Sequence, residues 1–258
     1  MPLPKISVIT PSYNQAEYIK ETIDSVLSQN YPNLEYWVID GGSTDGTLAI
    51  LKKFGKKINW LSEKDNGQYE AINKGLKKAT GDVLAYLNSD DIYLPGTLKK
   101  VGDYFSTSQS IDWLTGDYQI IDQHGHLTPN HWLITTYKRF LMSIYSPTIL
   151  KITDSMLPQP STFWSRKAYQ KVGEFRTDFH YVLDYDYWLR LSQHFKLHYI
   201  KEPLSGFRAQ PSSKSQTDRK TFLIEGERTL KANKANQLEI SLHKLHNYLS
   251  LLVYKIWE

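Results

Sequence analysis

The sequence predicts an α/β fold: a mostly parallel, doubly wound sheet flanked by helices, with a helical C-terminal tail. Three observations carry this expectation. Short apolar runs rich in β-branched residues recur through the first part of the chain. Segments with apolar residues at helical spacing separate them. Each run ends in a cluster of turn formers, so four strand-turn-helix cycles fit into about 100 residues, as right-handed βαβ crossovers require.

Ile6 to Thr10 reads as a buried strand that stops at Pro11, which has no backbone N–H for a ladder. Glu17 to Gln29 follows as a helix with Ile19, Ile23, Val26 and Leu27 on one face, broken at Tyr31-Pro32-Asn33. Leu34 to Ile39 is the second strand and Leu48 to Phe54 the second helix. Ile58 to Leu61 is the third strand, and the helix through Ala71, Ile72, Leu76 and Ala79 is closed by Gly81. Val83 to Leu87 is the fourth strand. Beyond Phe105 the alternation loosens. Trp113 to Ile121 and Pro160 to Trp164 read as strands, and Arg166 to Val172 and Asp184 to Phe195 as helices. Leu197 to Ile200 and Leu204 to Arg208 read as two further strands. Gln123 to Pro158 is rich in turn formers and aromatics, and from Asp218 the pattern is helical to the end.

Composition narrows the chemistry. With 258 residues, 40% of them hydrophobic, the chain can bury a core, so disorder is not expected. The absence of cysteine excludes disulfides, thiolate metal sites and a thiol nucleophile, so a metal must sit on oxygen or imidazole. The start lacks the pattern of a signal peptide, and no run approaches the roughly 18 apolar residues of a membrane span. A cytoplasmic protein is expected, with peripheral attachment at the inner membrane face as the variant. A net charge of +4 without a dense Lys/Arg run argues against a nucleic-acid partner. Nucleophile-elbow patterning is absent, which argues against a serine hydrolase.

In open α/β sheets ligands lie outside the carboxyl ends of the strands. Here those positions carry Thr10-Pro11-Ser12-Tyr13-Asn14, Asp40-Gly41-Gly42-Ser43-Thr44-Asp45, Asp65-Asn66-Gly67 and Ser89-Asp90-Asp91. Each has an ordinary explanation: Asp45 suits a helix cap and Asp65-Asn66-Gly67 a turn. Together they put more carboxylate on one rim than caps and turns need, unless a cation or a donor-rich ligand joins them. Asp90-Asp91 is the sharpest case, because the next helix starts later, near Pro95-Gly96. Magnesium typically takes one or two protein carboxylates and completes its shell with water and substrate phosphates.

The motifs Ser7 to Asn14, Asp40 to Thr47, Ser62 to Gly75 and Asn88-Ser89-Asp90-Asp91 together resemble family 2 glycosyltransferases, over residues 5 to about 210. The resemblance implies a GT-A fold and transfer from a nucleotide-diphosphate sugar, UDP-linked, to a glycan or lipid-linked acceptor. It implies that Pro11, Tyr13, Asn14, Asp40 and Asp65 line the base and ribose pocket, that Asp90 sits near the ribose, and that Asp91 binds Mn2+ or Mg2+. Residues 1–215 would form one domain, with a nucleotide-binding half at 1–105 and an acceptor-binding half at 106–215, followed by the tail at 216–258. The competing readings are a sugar-phosphate nucleotidyltransferase, for which the loop after the first strand lacks a phosphate-cradling glycine pattern, and a non-catalytic binding protein.

An inverting transfer needs a base for the acceptor hydroxyl. On the helix after Val182, Asp186 is four residues from Arg190, so a surface ion pair worth a few tenths of a kcal/mol accounts for it. Asp184 has no such partner and stands at the helix start. The resemblance singles out the same place, since the family's base lies in an acidic pair opening a similar helix, although the first member here is Leu183. Gly206 to Ser215 resembles the family's loop that closes over the diphosphate, with Arg208 and Lys214 suited to phosphate; Gln210 stands where many relatives carry histidine. In the tail, Leu242, Leu245, Leu249, Leu252 and Ile256 form an apolar stripe expected to dock on the main domain, with a homodimer contact or a membrane surface as the other uses.

Overall fold

The structure, a computed structural model, describes residues 2–107, 111–128, 132–153, 157–209 and 218–257; of residues 132–135, 219 and 251–257 it describes only the backbone course. The described strands are β1 (Ile6–Ser12), β2 (Leu34–Asp40), β3 (Asn59–Ser62), β4 (Val83–Tyr86), β5 (Ile92–Tyr93), β6 (Trp113–Ile121), β7 (Thr162–Ser165) and β8 (His198–Arg208). They form one sheet in the order β3-β2-β1-β4-β7-β6-β8-β5. β1 lies parallel to β2 and β4, β2 to β3, and β6 to β8. β7 runs antiparallel to β4 and β6, and β5 to β8. The expected mostly parallel sheet is present.

Helices cover both faces: α1 (Ile19–Leu27), α2 (Thr47–Phe54), α3 (Gln68–Lys78), α4 (Thr97–Phe105), α5 (Trp132–Ser143), α6 (Pro147–Ile152), α7 (Arg166–Val172) and α8 (Leu183–Ser192), then α9 (Arg219–Ala232) and α10 (Gln237–Trp257). The period-2 alternation of β1 divides the core between them. Ile6 and Val8 pack with Ile19, Ile23 and Leu98 of α1 and α4, while Ile9 packs with Ile72 of α3 and Trp164 and Trp188 beyond it.

Four boundaries differ from the sequence reading, each for a physical reason. β1 passes through Pro11 to Ser12. Alternate residues of β1 address β2, as Ile6 N to Asn33 O and Gly41 N to Ser12 O show, so Pro11 faces the β4 side, where pairing has already ended at Ile9 and Tyr86. The proline therefore removes no ladder bond. The two expected strands around Glu202-Pro203 are one strand, β8, which takes Pro203 opposite a register shift at Asp117. β5 is two residues long, too short for periodicity to register. The stretch 123–158 contains helices α5 and α6; at α6, Ser146 Oγ caps the Ile149 amide and Pro147 opens the helix, a start signal present in the sequence.

The tail departs most. α10 docks, but through its polar side. Glu239, Ile240 and His243 are buried: the Glu239 carboxylate accepts from Lys151 Nζ at 3.0 Å, and the His243 ring stacks on Tyr185 at 6.2 Å. Leu242, Leu245 and Leu249, from the expected docking stripe, are 37%, 52% and 51% exposed. The side chains of Leu252 and Ile256 lie outside the described residues. Buried polar partners on the main domain, Lys151 and Tyr185, select the face that satisfies them, since an unmet buried charge costs more than an exposed leucine.

Candidate active site

The loops after β1, β2 and β3 are tied together by their own side chains. Asn14 adopts the left-handed region (φ 51°), which asparagine tolerates, and bridges two loops: its amide donates to Ser43 Oγ at 2.7 Å and its Oδ1 accepts from Thr44 N at 2.9 Å. Asp40, at the end of β2 and fully buried, accepts from the Gly42 and Ser43 amides and from the Ser43 and Ser62 hydroxyls. Its carboxylate is thus committed to holding the loop. Asp45 accepts from the Ala16 amide and from the Thr47 amide at the start of α2, close to the cap role that its position suggested.

Asp65 accepts from the Gly67 amide at 3.0 Å and lies against Gly41, where an added Cβ would stand 2.8 Å from Asp65 Oδ2. Burial raises the Asp65 carboxyl, and the charges of Glu70 and Asp40 add to it. Pro11 is buried within β1, whereas Tyr13 stands 59% exposed at the rim. Ser12 Oγ and Gln15 Oε1 are buried beside these loops with no hydrogen-bond partner among the described residues, an acceptor and a hydroxyl left for something else to meet.

After β4 the two aspartates differ. Asp91 is 1% exposed, its Oδ1 accepting from the Arg208 amide at 3.0 Å and its Oδ2 from Asn88 Nδ2 at 3.2 Å. Burial pushes its carboxyl well above the usual range, and the charge of Asp90 pushes it further. Asp90 is the half-buried, more accessible member. Asp91, expected as the cation ligand, thus also ties this turn to β8 and to Asn88, and Asp90 is the more exposed carboxylate of the two. Arg208, expected to suit phosphate, is engaged by the fold itself. Its guanidinium is buried, with Nε donating to Asp90 O at 2.8 Å, Nη1 to Asp122 O at 2.8 Å and Nη2 to Glu21 Oε2 at 2.6 Å, over the ring of Tyr18. It ties four segments together, each of its three nitrogens donating to a protein oxygen. Gln210 and Lys214, with the rest of residues 210–217, lie outside the described residues.

Tyr86, the last residue of β4, is buried among the acids. Burial drives its phenol far up, and the charges of Asp184 and then Asp91 drive it further, so both carboxylates stand around this ring. Asp184 is half-buried at the second residue of α8, with Oδ1 accepting from the Tyr185 amide at 2.8 Å. Asp186 does pair with Arg190, at 2.8 Å, but it is not a surface pair. Asp186 is fully buried, it also accepts from Asn233 Nδ2 at 3.0 Å, and Arg190 donates to the carbonyls of Val172 and Glu174. Gln159 escaped the sequence reading. From a short 3-10 turn, Gln159–Ser161, it donates to Tyr86 O at 2.7 Å and accepts from Asn88 Nδ2 at 3.1 Å, while Gln68 donates to Asn88 Oδ1. The signal was a lone amide between Pro158 and Pro160, in the stretch without periodicity.

A cavity of about 460 Å³ lined by Lys167, Lys171, Lys196, His194 and His198 lies elsewhere, at the opposite ends of β6 and β8. Asp112 is the one carboxylate in its lining, and the rim at the carboxyl ends of β1 to β4, with its several acids, is the candidate site.

Comparison with known proteins identifies the family and the fold. An uncharacterized glycosyltransferase of Rickettsia prowazekii is 27% identical over 215 residues, covering 83% of this chain and 67% of that protein. The chondroitin synthase of Escherichia coli is 27% identical over 194 residues, covering 74% of this chain but 27% of the synthase. The chain thus spans only part of the length of some relatives. In fold it is similar to S. aureus TarS in complex with UDP-GlcNAc (TM-score 0.69, 19% identity, 94% of this chain and 70% of that one). It is also similar to the mannosyltransferase PcManGT of Pyrobaculum calidifontis in complex with GDP-Man and Mn2+ (TM-score 0.62, 17% identity, 100% and 84%). The fold is that of GT-A glycosyltransferases, with C-terminal helices appended. The family profile described as glycosyl transferase family 2 matches residues 7–172, and the chain belongs to that family.

Proposed function

We propose that this glycosyltransferase moves a sugar, with inversion, from a UDP-linked donor to a hydroxyl of a glycan or lipid-linked glycan, assisted by Mn2+ or Mg2+. The observation that carries the reading is that Asp91, of the Asp90-Asp91 turn after β4, and Asp184, at the start of α8, stand around the same buried ring of Tyr86, two acids from distant parts of the chain. Adjacent carboxylates that repel each other fit a hard cation and a phosphorylated donor. Asp90 would hold the cation, which supplies charge neutralisation to the departing diphosphate.

The remaining work falls to the chain. Asn14 and Asp40 fix the two loops on which Tyr13 and Asp65 meet the base and ribose, Asp40 acting through the loop. Asp184 takes the proton of the acceptor hydroxyl as that oxygen attacks. Gln159 and Asn88 hold the Asp90-Asp91 turn in place. The known neighbours were seen with UDP-GlcNAc and with GDP-Man, so the nucleotide is tested directly. The family match gives no support to the nucleotidyltransferase alternative.

Incubating the chain with UDP- and GDP-sugars and Mn2+, and following nucleotide diphosphate and free sugar by mass spectrometry, tests the reading. Slow release of UDP with the sugar is expected, and Asp184→Asn should lower transfer by about 10²- to 10⁴-fold while nucleotide binding persists. Release of pyrophosphate, or no turnover of any nucleotide sugar, would refute it.

A further inference from the structure

α10 turns its polar side inward, and this leaves an apolar surface that the fold itself does not cover. Leu238, Leu242, Leu245 and Leu249 follow one another at steps of four, three and four along that helix, and all are exposed, by 37% to 68%. Such spacing is one stripe. Tyr137 and Phe140 on α5, with Ile144 just after its last residue, make a second stripe and are 45% to 56% exposed. The two stripes meet where the Tyr137 ring stacks on His246, at 6.2 Å and 20°. Monomeric surfaces rarely gather large apolar side chains this way unless something covers them.

Charge identifies the cover. Residues 132–152 and 219–257, which hold both stripes, contain ten Lys and Arg against three Asp and Glu, a formal +7. The rest of the chain carries −3, so the segments that bear the two stripes hold the whole excess of positive charge. Two copies joined through this face would bring together two sets of segments that each carry a formal +7. An anionic bilayer complements it, receiving leucine side chains among its acyl chains and cations at its headgroups. No helix among the described residues is long and apolar enough to cross a membrane, so the contact is one of lying on the surface.

The surface also connects to the site. Arg139 of α5 pairs with Asp117 of β6 at 2.8 Å, and Lys138 reaches the Tyr118 hydroxyl at 3.3 Å. β6 continues from there to Ile121, beside Arg208 and the Asp90-Asp91 turn. We infer that the α5–α10 face seats the enzyme on an anionic lipid surface from which a lipid-anchored acceptor reaches Asp184; the acceptor part rests on the transferase reading.

Flotation of the full chain with vesicles of phosphatidylglycerol and phosphatidylcholine in equal parts, against phosphatidylcholine alone, tests the inference. Binding to the anionic vesicles is expected, lower by about tenfold or more on neutral vesicles or in high salt. Leu245→Asp with Leu249→Asp should lower it by a similar factor, with an unchanged melting curve and unchanged nucleotide binding, because both leucines are already exposed. Absence of flotation by the wild type overturns the inference, as does a doubly substituted chain that floats equally well. A dimer in light scattering that the two substitutions disperse, without vesicle binding, overturns it in favour of a second copy. Donor hydrolysis in the same samples keeps the readings apart: hydrolysis without flotation defeats the membrane surface alone. Flotation without hydrolysis supports the surface and defeats the transferase reading.

Discussion

Replacing Asp186 by Asn should destabilise the chain by about 3 kcal/mol while leaving the transfer chemistry intact in the protein that remains folded. Breaking one side of a buried ion pair costs roughly 3–5 kcal/mol, because the surviving charge keeps its desolvation penalty. Two details place this case at the lower end. Arg190 retains the Val172 and Glu174 carbonyls and its side chain is 19% exposed, so some hydration remains. The new amide can still accept from Asn233, yet its NH2 meets the Arg190 Nε–H, donor against donor. For a chain of this size about 3 kcal/mol corresponds to a melting temperature lower by roughly 6–10 °C. Urea denaturation, with the slope against denaturant checked for constancy, measures the change directly. Asp184→Asn is the contrast: its carboxylate is half-buried where that of Asp186 is fully buried, so it should alter activity far more than stability. A change below about 1 kcal/mol at Asp186 would mean that the pair is hydrated in solution, and the reasoning from burial would fail.

Asp90→Asn should abolish Mn2+-dependent strengthening of UDP binding, whereas Asp91→Asn should retain most of it and lose stability instead; calorimetry that ranks them the other way returns the cation to Asp91. Gly41→Ala should weaken nucleotide binding with little loss of stability, because its Cβ displaces the Asp65 carboxylate and that side chain can swing away; unchanged UDP affinity would show that Asp65 does not meet the donor. Glu35 gives a pH signature. Burial alone would raise its carboxyl, but hydrogen bonds from the Ser7 hydroxyl, the Thr80 amide, Lys5 and the Thr80 hydroxyl bring it down to about 2. A lowered native value stabilises the fold above the unfolded carboxyl range, and the gain fades as pH falls from about 4.5 toward 2. Glu35→Gln should therefore cost about 2–3 kcal/mol at neutral pH and little near pH 2, and an equal cost at both would assign the effect to packing.

The first half of the fold was legible because local and global signals agree there. In β1 to β4 each apolar run is followed by its own turn chemistry, so periodicity alone fixes element, order and face. The acidic rim was legible for the same reason, since parallel strands put their carboxyl ends on one edge. What sequence spacing does not contain is depth. Asp186 and Arg190 stand four apart whether they face water or the core, and only the arrival of Asn233 from α9 decides it. Arg208 stands in a loop-like motif in the sequence, and only the fold brings Glu21, Asp90 and Asp122 around it from three other segments. α10 has a well-formed apolar stripe, and the sequence cannot say that Lys151 and Tyr185 await its other face.

β5 belongs to the first half of the chain, yet it forms the edge of the sheet beside β8, with β7, β6 and β8 lying between it and β4. The Arg208 guanidinium adds a clasp at the same seam. The two halves are thus interleaved, each supplying a strand that the other needs as a neighbour. A fragment ending near residue 107 would carry β5 without β8, with unpaired ladder groups and Ile92 left against water, and it should aggregate alone. Supplied together, the fragments 1–107 and 108–258 hold complementary surfaces, and the chain becomes a natural candidate for a split enzyme whose activity reports the meeting of its parts.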